Sequence, residues 1–441
     1  MNPVLTPKII YSRNAAFGLG WSVATQVAGT GVKLASTLVL TRLLAPEAYA
    51  LLGTAMVVLT TLEWLSDFGV TPTLVRHTRG GERGWLLVGW QANFRRGLVL
   101  TAIAAVCAAP LAAFYHQPEL FGVLLALAAR PLIMSLRSPG VPLLRRNLEY
   151  RALFVDELTQ ALTGTLTAIL VAVTIPGAGA WALVAGTLVG ALAGVVVSYL
   201  LAPLAPRHHH DLEASREIRK FGGLVVMNTL VMAVWLNLDR LIGPRFLPLD
   251  AVGCYIVAWN LAMAAEAVVT RKIDVYFALM SRLPVGDRAD WHQGMVPKVM
   301  RLVGPALAVG VAIAPLVVAV LYDSRYQSAG ILFAVLLARL VVRTIGQLDF
   351  QLLLASGNIR PATVSYLAGA VTQGVLIVPL VLSFGVNGLA VSALISASVV
   401  TLVQVVLAPE LRSGALRRMG VAALWSVIGL ATAALTSRMV G

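Results

Sequence analysis

Basic residues set inside apolar runs are the positions in this chain best placed to do chemistry. Five of its 34 Lys and Arg, namely Lys33, Arg130, Arg240, Arg339 and Arg343, fall within stretches long and apolar enough to cross a bilayer. A charge inside the membrane costs roughly 2.5–3.5 kcal/mol on insertion scales, so it is kept where it meets a partner, a ligand or a watery cavity. Helical spacing turns these charges into stripes. Gln26, Thr30, Lys33 and Thr37 share one face of the first apolar run, and Thr60, Glu63 and Asp67 one face of the second. Further on come Asn228, Trp235 and Asp239 with Arg240 beside them, then Trp259, Met263, Glu266 and Thr270, then Arg339, Arg343 and Gln347. The expected cavity lining is therefore Lys33, Arg240, Arg339, Arg343, Gln26 and Gln347. The carboxylates Glu63, Asp67, Asp239 and Glu266 either couple an ion or pair with basic residues.

Structural readings compete at several of these positions. Glu63 and Asp67 can pair with basic residues simply to hold helices together. Asp239 and Arg240 can form an ion pair, although neighbours in sequence point to different faces of a helix. Arg42 and Arg245 stand at outer helix ends, where a long side chain can snorkel to headgroups. Two cations one turn apart repel each other, so Arg339 and Arg343 are expected to face a ligand. The run His208-His209-His210 resembles a metal tract, but adjacent histidines diverge and a solvated loop is the better reading. Cys107 and Cys254 both fall in apolar stretches and form no CxxC pattern. No metal or cofactor is expected. Soluble-enzyme signatures such as a phosphate loop ending in GK[ST], GxSxG or HExxH do not occur.

The elements that position these residues follow from composition. A hydrophobic content of 58%, 12% charged residues and a mean hydropathy of +0.83 exclude a soluble domain of 441 residues. The pattern implies an all-α polytopic membrane protein, because a closed barrel would show short alternating segments. Expected spans are 15–41, 48–72, 97–115, 119–138, 155–175, 180–202, 222–243, 250–270, 299–321, 327–352, 361–383 and 388–408, with a weaker thirteenth at 419–437. With the N-terminus in the cytoplasm, 25 of the 34 basic residues fall in or beside cytoplasmic gaps. Only Arg42, Arg245, Arg325 and Arg438 fall towards the other side, as the positive-inside rule requires. The formal charge of +14 is spread over these short loops, which suits anionic lipid headgroups rather than nucleic acid. The first apolar run is full-length and carries Lys33, unlike a cleavable leader.

The chain also repeats. An offset of 203 relates Arg42 to Arg245, Glu47 to Asp250 and Glu63 to Glu266. An offset of 209 relates Arg130 to Arg339, Arg151 to Arg360 and Gly179 to Gly388. Six spans per repeat place both halves the same way up, which predicts two six-helix lobes related by a pseudo-twofold along the membrane normal. The expected division is 1–205 for the first lobe, 206–220 for a cytoplasmic linker, 221–410 for the second lobe and 411–441 for a C-terminal segment with the extra span.

The segment GLGWSVATQVAGTGVKLASTLVLTRLLAPEAYALLGTAMVV, followed by LSDFGVTPTLVRH, resembles the opening of Wzx-type polysaccharide flippases of the multidrug/oligosaccharidyl-lipid/polysaccharide (MOP) superfamily. NLDRLIGPRFLPLDAVGCYIVAWNLA resembles the start of their second lobe, and LLRRNLEYRALFVDEL the loop after their fourth span. One departure is Ala50, where the family has glycine after the tyrosine; Gly253 keeps it in the second lobe. The resemblance implies alternating-access export of an undecaprenyl-pyrophosphate-linked oligosaccharide to the outer leaflet of a bacterial inner membrane. Implied partners are that substrate, membrane lipids, a polysaccharide polymerase and export machinery. Arginine suits such a substrate, since its planar fork can hold two phosphate oxygens at once. Two alternatives remain. A cation or drug antiporter of the same superfamily would bind through the carboxylates, and a membrane glycosyltransferase or polymerase would carry long catalytic loops, whereas the outer gaps here are short.

Overall fold

The computed structural model describes residues 29, 31, 32, 34–66, 69–280 and 283–440. Every regular element among them is helical. In chain order these are α1 (Leu34–Leu43), α2 (Pro46–Leu65), α3 (Val70–Arg76), α4 (Arg83–Tyr115), α5 (Pro118–Leu127), α6 (Ala129–Ser135), α7 (Val141–Arg146), α8 (Tyr150–Thr174) and α9 (Ala180–Leu201). They continue as α10 (Leu212–Ile242), α11 (Leu249–Met280), α12 (Arg288–Leu321), α13 (Ala329–Ala355), α14 (Arg360–Phe384), α15 (Val386–Leu407), α16 (Pro409–Arg412) and α17 (Ala415–Val440). Among the described residues, ten helical segments are long and apolar enough to cross a membrane. Prolines lie inside α4, α12 and α14. In spanning helices neighbouring groups re-satisfy the backbone that proline frees.

The chain divides into two compact units. Unit 1 comprises residues 1–43 and 58–229, and unit 2 residues 44–57 and 230–441. This differs from the expected division at two places. Residues 44–57 belong with unit 2 because Ala50 packs with Val252 and Ile256 there, and the Tyr326 hydroxyl donates to the Leu44 carbonyl at 2.9 Å. Gly253 is required at this contact, since a Cβ on it would stand 1.9 Å from the Pro46 carbonyl oxygen. The second difference is the expected linker, which from Leu212 onward is the first part of α10. The Asp211 carboxylate accepts the Ala214 backbone N–H at 3.0 Å, an N-cap interaction. Ala214 and Ile218 then enter a core with Val70, Leu74 and Trp85. Beside that core, Arg79 grips Glu82 through two hydrogen bonds of 2.8 and 2.9 Å and also reaches Glu213. The bond from Arg79 holds the Glu82 carboxyl below the usual carboxylate range.

Packing within the units rests on small residues, because lipid tails are as apolar as leucine and give helices no hydrophobic reason to associate. Helices α8 and α9 meet at Gly164, Gly186 and Gly190. A Cβ on Gly186 would lie 2.5 Å from the Gly164 carbonyl oxygen, and one on Gly190 2.8 Å from that of Gln160. The opposite face of α8 presents Leu162, Leu166, Leu170 and Val173, all exposed and suited to hydrocarbon. In unit 2, α13 is the hub, packed against α11, α12, α15 and α17. Gly190→Val is expected to force α8 from α9 and destabilise the protein by about 1–3 kcal/mol. Gly294→Ala in α12, whose Cβ meets nothing within 4 Å, serves as the comparison and is expected to melt no lower than the native chain. Melting temperatures of the two variants in detergent check this, and equal values would show that the close approach is dispensable.

Candidate functional site

Three guanidinium groups of unit 2 gather around two tryptophans contributed by α10 and α11. Arg339 and Arg343, one turn apart on α13, lie with their guanidinium carbons 5.9 and 5.8 Å from the centre of the Trp235 ring. Arg240 lies over Trp259 at 3.4 Å, a close cation–π contact. Trp235 is fixed from behind. Its indole N–H donates to Ser396 Oγ at 2.6 Å, Ser396 donates to the Gly369 carbonyl at 2.8 Å, and the ring stacks on Tyr366. Gly369 has to be glycine here, since a Cβ would come within 2.3 Å of Val400 and 2.9 Å of the Trp235 indole nitrogen.

The carboxylates of this unit have definite partners. Glu266 accepts from Arg343 at 2.5 Å and from the Gln347 amide at 3.1 Å. Asp239 accepts the Tyr255 hydroxyl at 2.5 Å and the Arg240 backbone N–H at 2.9 Å, while the Arg240 guanidinium turns to Asn237. The side chains of Asp239 and Arg240 thus go separate ways. Arg343 departs from its expected role: it is held by a carboxylate rather than left to repel Arg339. Arg339 is different again. It is 5% exposed, and its Nε has no hydrogen-bond partner, as is also true of Arg240 Nε, Trp259 Nε1 and Gln347 Oε1. A small cleft of about 10 Å³, room for about one water, lies beside these groups, lined by Trp259, Met263, Glu266, Arg339 and Arg343 among others. A cleft of that composition offers countercharge, N–H donors and ring faces to an anionic, hydroxyl-rich group.

Unit 1 holds its own charges. Arg130 pairs with Glu63 at 2.7 Å and Arg137 with Asp156. Arg96 donates to Ser66 Oγ at 2.9 Å and to the Glu63 carbonyl at 2.5 Å. Glu63 is therefore an ion-pair partner. Arg42 stands exposed near the end of α1, and Arg245 lies 5.8 Å from the Phe246 ring in a short turn after α10. Gln26, Lys33 and Asp67 lie outside the described residues, as does the side chain of Asn228. Sequence reasoning missed Tyr255, whose hydroxyl meets Asp239. It also missed the buried chain in which Tyr276 meets His292 at 2.6 Å and His292 meets Asp349 at 2.8 Å. Asp349 inside an apolar run was the available signal.

Solved structures place this architecture in a known class. An inward-facing multidrug resistance MATE family transporter of the MOP superfamily matches with a TM-score of 0.67 at 16% identity, over 89% of this chain and 95% of that one. The lipid II flippase MurJ in its inward closed conformation matches with a TM-score of 0.65 at 10% identity, over 96% and 98%. The chain is thus a multi-pass helical membrane protein with the fold of these transporters. A polysaccharide biosynthesis protein family model matches residues 39–331, and the chain belongs to that family. Two relatives are the succinoglycan biosynthesis transport protein ExoT of Rhizobium meliloti, 26% identical over 61% of this chain, and the lipopolysaccharide biosynthesis protein WzxC of Escherichia coli, 22% identical over 59%. The matched part spans about half the length of each, 53% and 54%.

Removing Glu266 would strand Arg343, a cation 13% exposed along its side chain. Glu266→Ala is expected to destabilise the protein by about 3 kcal/mol. Removing both partners, Glu266→Ala with Arg343→Ala, should recover most of the loss. Thermal melts of the single and double variants check this; equal melting points would show that the pair does not hold α11 to α13.

Proposed function

We propose that this chain is a flippase that moves an undecaprenyl-pyrophosphate-linked oligosaccharide from the inner to the outer leaflet by alternating access, for cell-surface or exopolysaccharide synthesis. One observation carries the reading: Arg339 is buried with its Nε unpartnered, beside a tryptophan face and a small cleft that it lines together with Arg343. Moving such a lipid requires sugar hydroxyls and a diphosphate to pass through hydrocarbon, where unsatisfied polar groups are costly. Guanidiniums and indole N–H groups supply those bonds while the prenyl tail stays in lipid. Family membership and the names of the relatives support the same reading. A cation antiporter is less well supported, because three of the four carboxylates it would use, those among the described residues, are committed: Glu63 to Arg130, Glu266 to Arg343, Asp239 to Tyr255.

The reading includes two six-helix lobes related by a pseudo-twofold along the membrane normal, which the constant offsets support, with residues 44–57 packed in unit 2 and the chain passing from unit 1 to unit 2 at residue 229. It also includes an N-terminus in the cytoplasm and an inner-membrane location, with a polysaccharide polymerase and export machinery as partners. Cysteine placed at Arg216 or Arg412 should resist an impermeant thiol reagent added outside intact cells, whereas cysteine at Gly177 or Asn387 should react. External labelling at position 216 would reverse the orientation.

Arg339→Ala should abolish polymer export with near-normal membrane abundance, because no carboxylate is stranded by its loss. Arg339→Lys should restore export only in part, since an ammonium keeps the charge but loses the fork. The measurement is exported polymer normalised to membrane protein. Near-normal export by Arg339→Ala would remove this residue as a substrate contact.

A further inference from the structure

Unit 1 encloses a separate cavity of about 310 Å³ between α2, α3, α4, α6 and α7, and its chemistry is unlike that of a packing defect. Four arginines line it: Arg96, Arg130, Arg137 and Arg145. Glu63, the carboxylate in the lining, is taken by Arg130. Asp156 takes one end of Arg137, whose Nε stays buried without a partner. Arg145 is exposed and makes no side-chain hydrogen bond or ion pair among the described residues. From α4, Trp90, Asn93 and Arg96 reach the cavity at three-residue spacing along one helix face. The Trp90 indole N–H is buried and unpartnered, and its ring stacks on Phe94 at 5.4 Å.

A purely structural role accounts for Arg130, which completes a pair. Arg145 suits an orientation-setting loop charge as well, but an arginine nitrogen and an indole N–H left unbonded beside the same cavity call for a further account. Unpaired donors of this kind fit an acceptor-rich anion, and arginine forks fit phosphoryl oxygens best. The volume lies at the small end of the range for ligand pockets, enough for a headgroup and not for a long glycan. Arg145 belongs to the gap between the expected spans 119–138 and 155–175, and Arg137 to the end of the span beside it; that gap is expected to face the cytoplasm, the side from which a lipid-linked substrate would be loaded.

We propose that this cavity is a diphosphate-ester site, in which Arg137 and Arg145 hold the phosphoryl oxygens while Trp90 and Asn93 meet the first sugar. The proposal rests on the flippase reading and assigns that substrate a loading site. Prenyl diphosphate and free pyrophosphate share the chemistry, so both are tested on the full chain in nanodiscs, with farnesyl diphosphate, inorganic pyrophosphate and farnesol as probes. Wild-type protein should bind farnesyl diphosphate more tightly than pyrophosphate, and farnesol weakly. Arg145→Gln should weaken farnesyl diphosphate binding about tenfold, the scale of one charge-assisted bond. Arg137→Gln combined with Asp156→Asn should do the same without stranding a carboxylate. Equal affinity for pyrophosphate would keep the diphosphate chemistry and overturn the lipid as its source. Wild-type affinity in both variants, with binding lost in Arg339→Ala, would overturn this site and leave the flippase reading standing. No binding of farnesyl diphosphate by wild-type protein would overturn both.

Discussion

Pairing of guanidinium with carboxylate is what allows charged side chains to sit inside this apolar bundle. Glu63 with Arg130 and Glu266 with Arg343 each join two helices, Asp156 with Arg137 joins α8 to the turn after α6, and each pair removes two ions from unfavourable surroundings at once. A buried pair is weak evidence for added stability, because desolvation offsets much of the attraction. Its consequence is geometric. Once the helices are fixed by such pairs, any guanidinium left over is held in place as well, with its donors aimed at whatever enters the adjoining cleft.

The repeat shows how such a surplus arises. By the constant offsets, Glu63 corresponds to Glu266 and Arg130 to Arg339. Glu63 does bind Arg130, but Glu266 binds Arg343, one turn beyond the counterpart of Arg130. Arg339 pairs with no carboxylate among the described residues, and its guanidinium lies near Trp235.

Much of this was legible in the sequence because membrane helices reveal themselves by length, composition and period. Polar periodicity singled out Glu266, Arg343 and Gln347, and the last two meet Glu266. Pairing within the stripes was not legible. Which of two arginines a turn apart meets Glu266 depends on axial offsets of a few ångströms between helices, and single-sequence spacing carries no such information. The contact of Arg240 with Trp259 was hidden for the same reason. The 206–220 segment read as a linker because it is polar, yet a capping aspartate and two small or aliphatic residues were enough to fold its second half onto unit 1. Arg137 and Arg145 read as ordinary loop charges, and only the fold of α6 and α7 brings them to a cavity.

The same pairing bears on how a carrier of this kind could release what it holds. A site that moves an anion must bind it well enough to draw it from water and loosely enough to let it go. A cluster of unpaired arginines in low dielectric would fail the second condition, since each charge-assisted bond is strong where water is excluded. Glu266 meets this difficulty under the flippase reading. It competes with phosphoryl oxygens for Arg343, so displacing the ligand exchanges one carboxyl-type acceptor for another rather than exposing a bare cation. Trp235 and Trp259 act similarly for the remaining cations, because ring faces stabilise a guanidinium without satisfying its N–H donors. Arginine beside tryptophan, with one carboxylate within reach, is thus a moderate-affinity arrangement. Substituting alanine for Glu266 would strengthen the hold on a diphosphate while weakening the protein, which separates affinity from turnover in a way that loss of an arginine cannot.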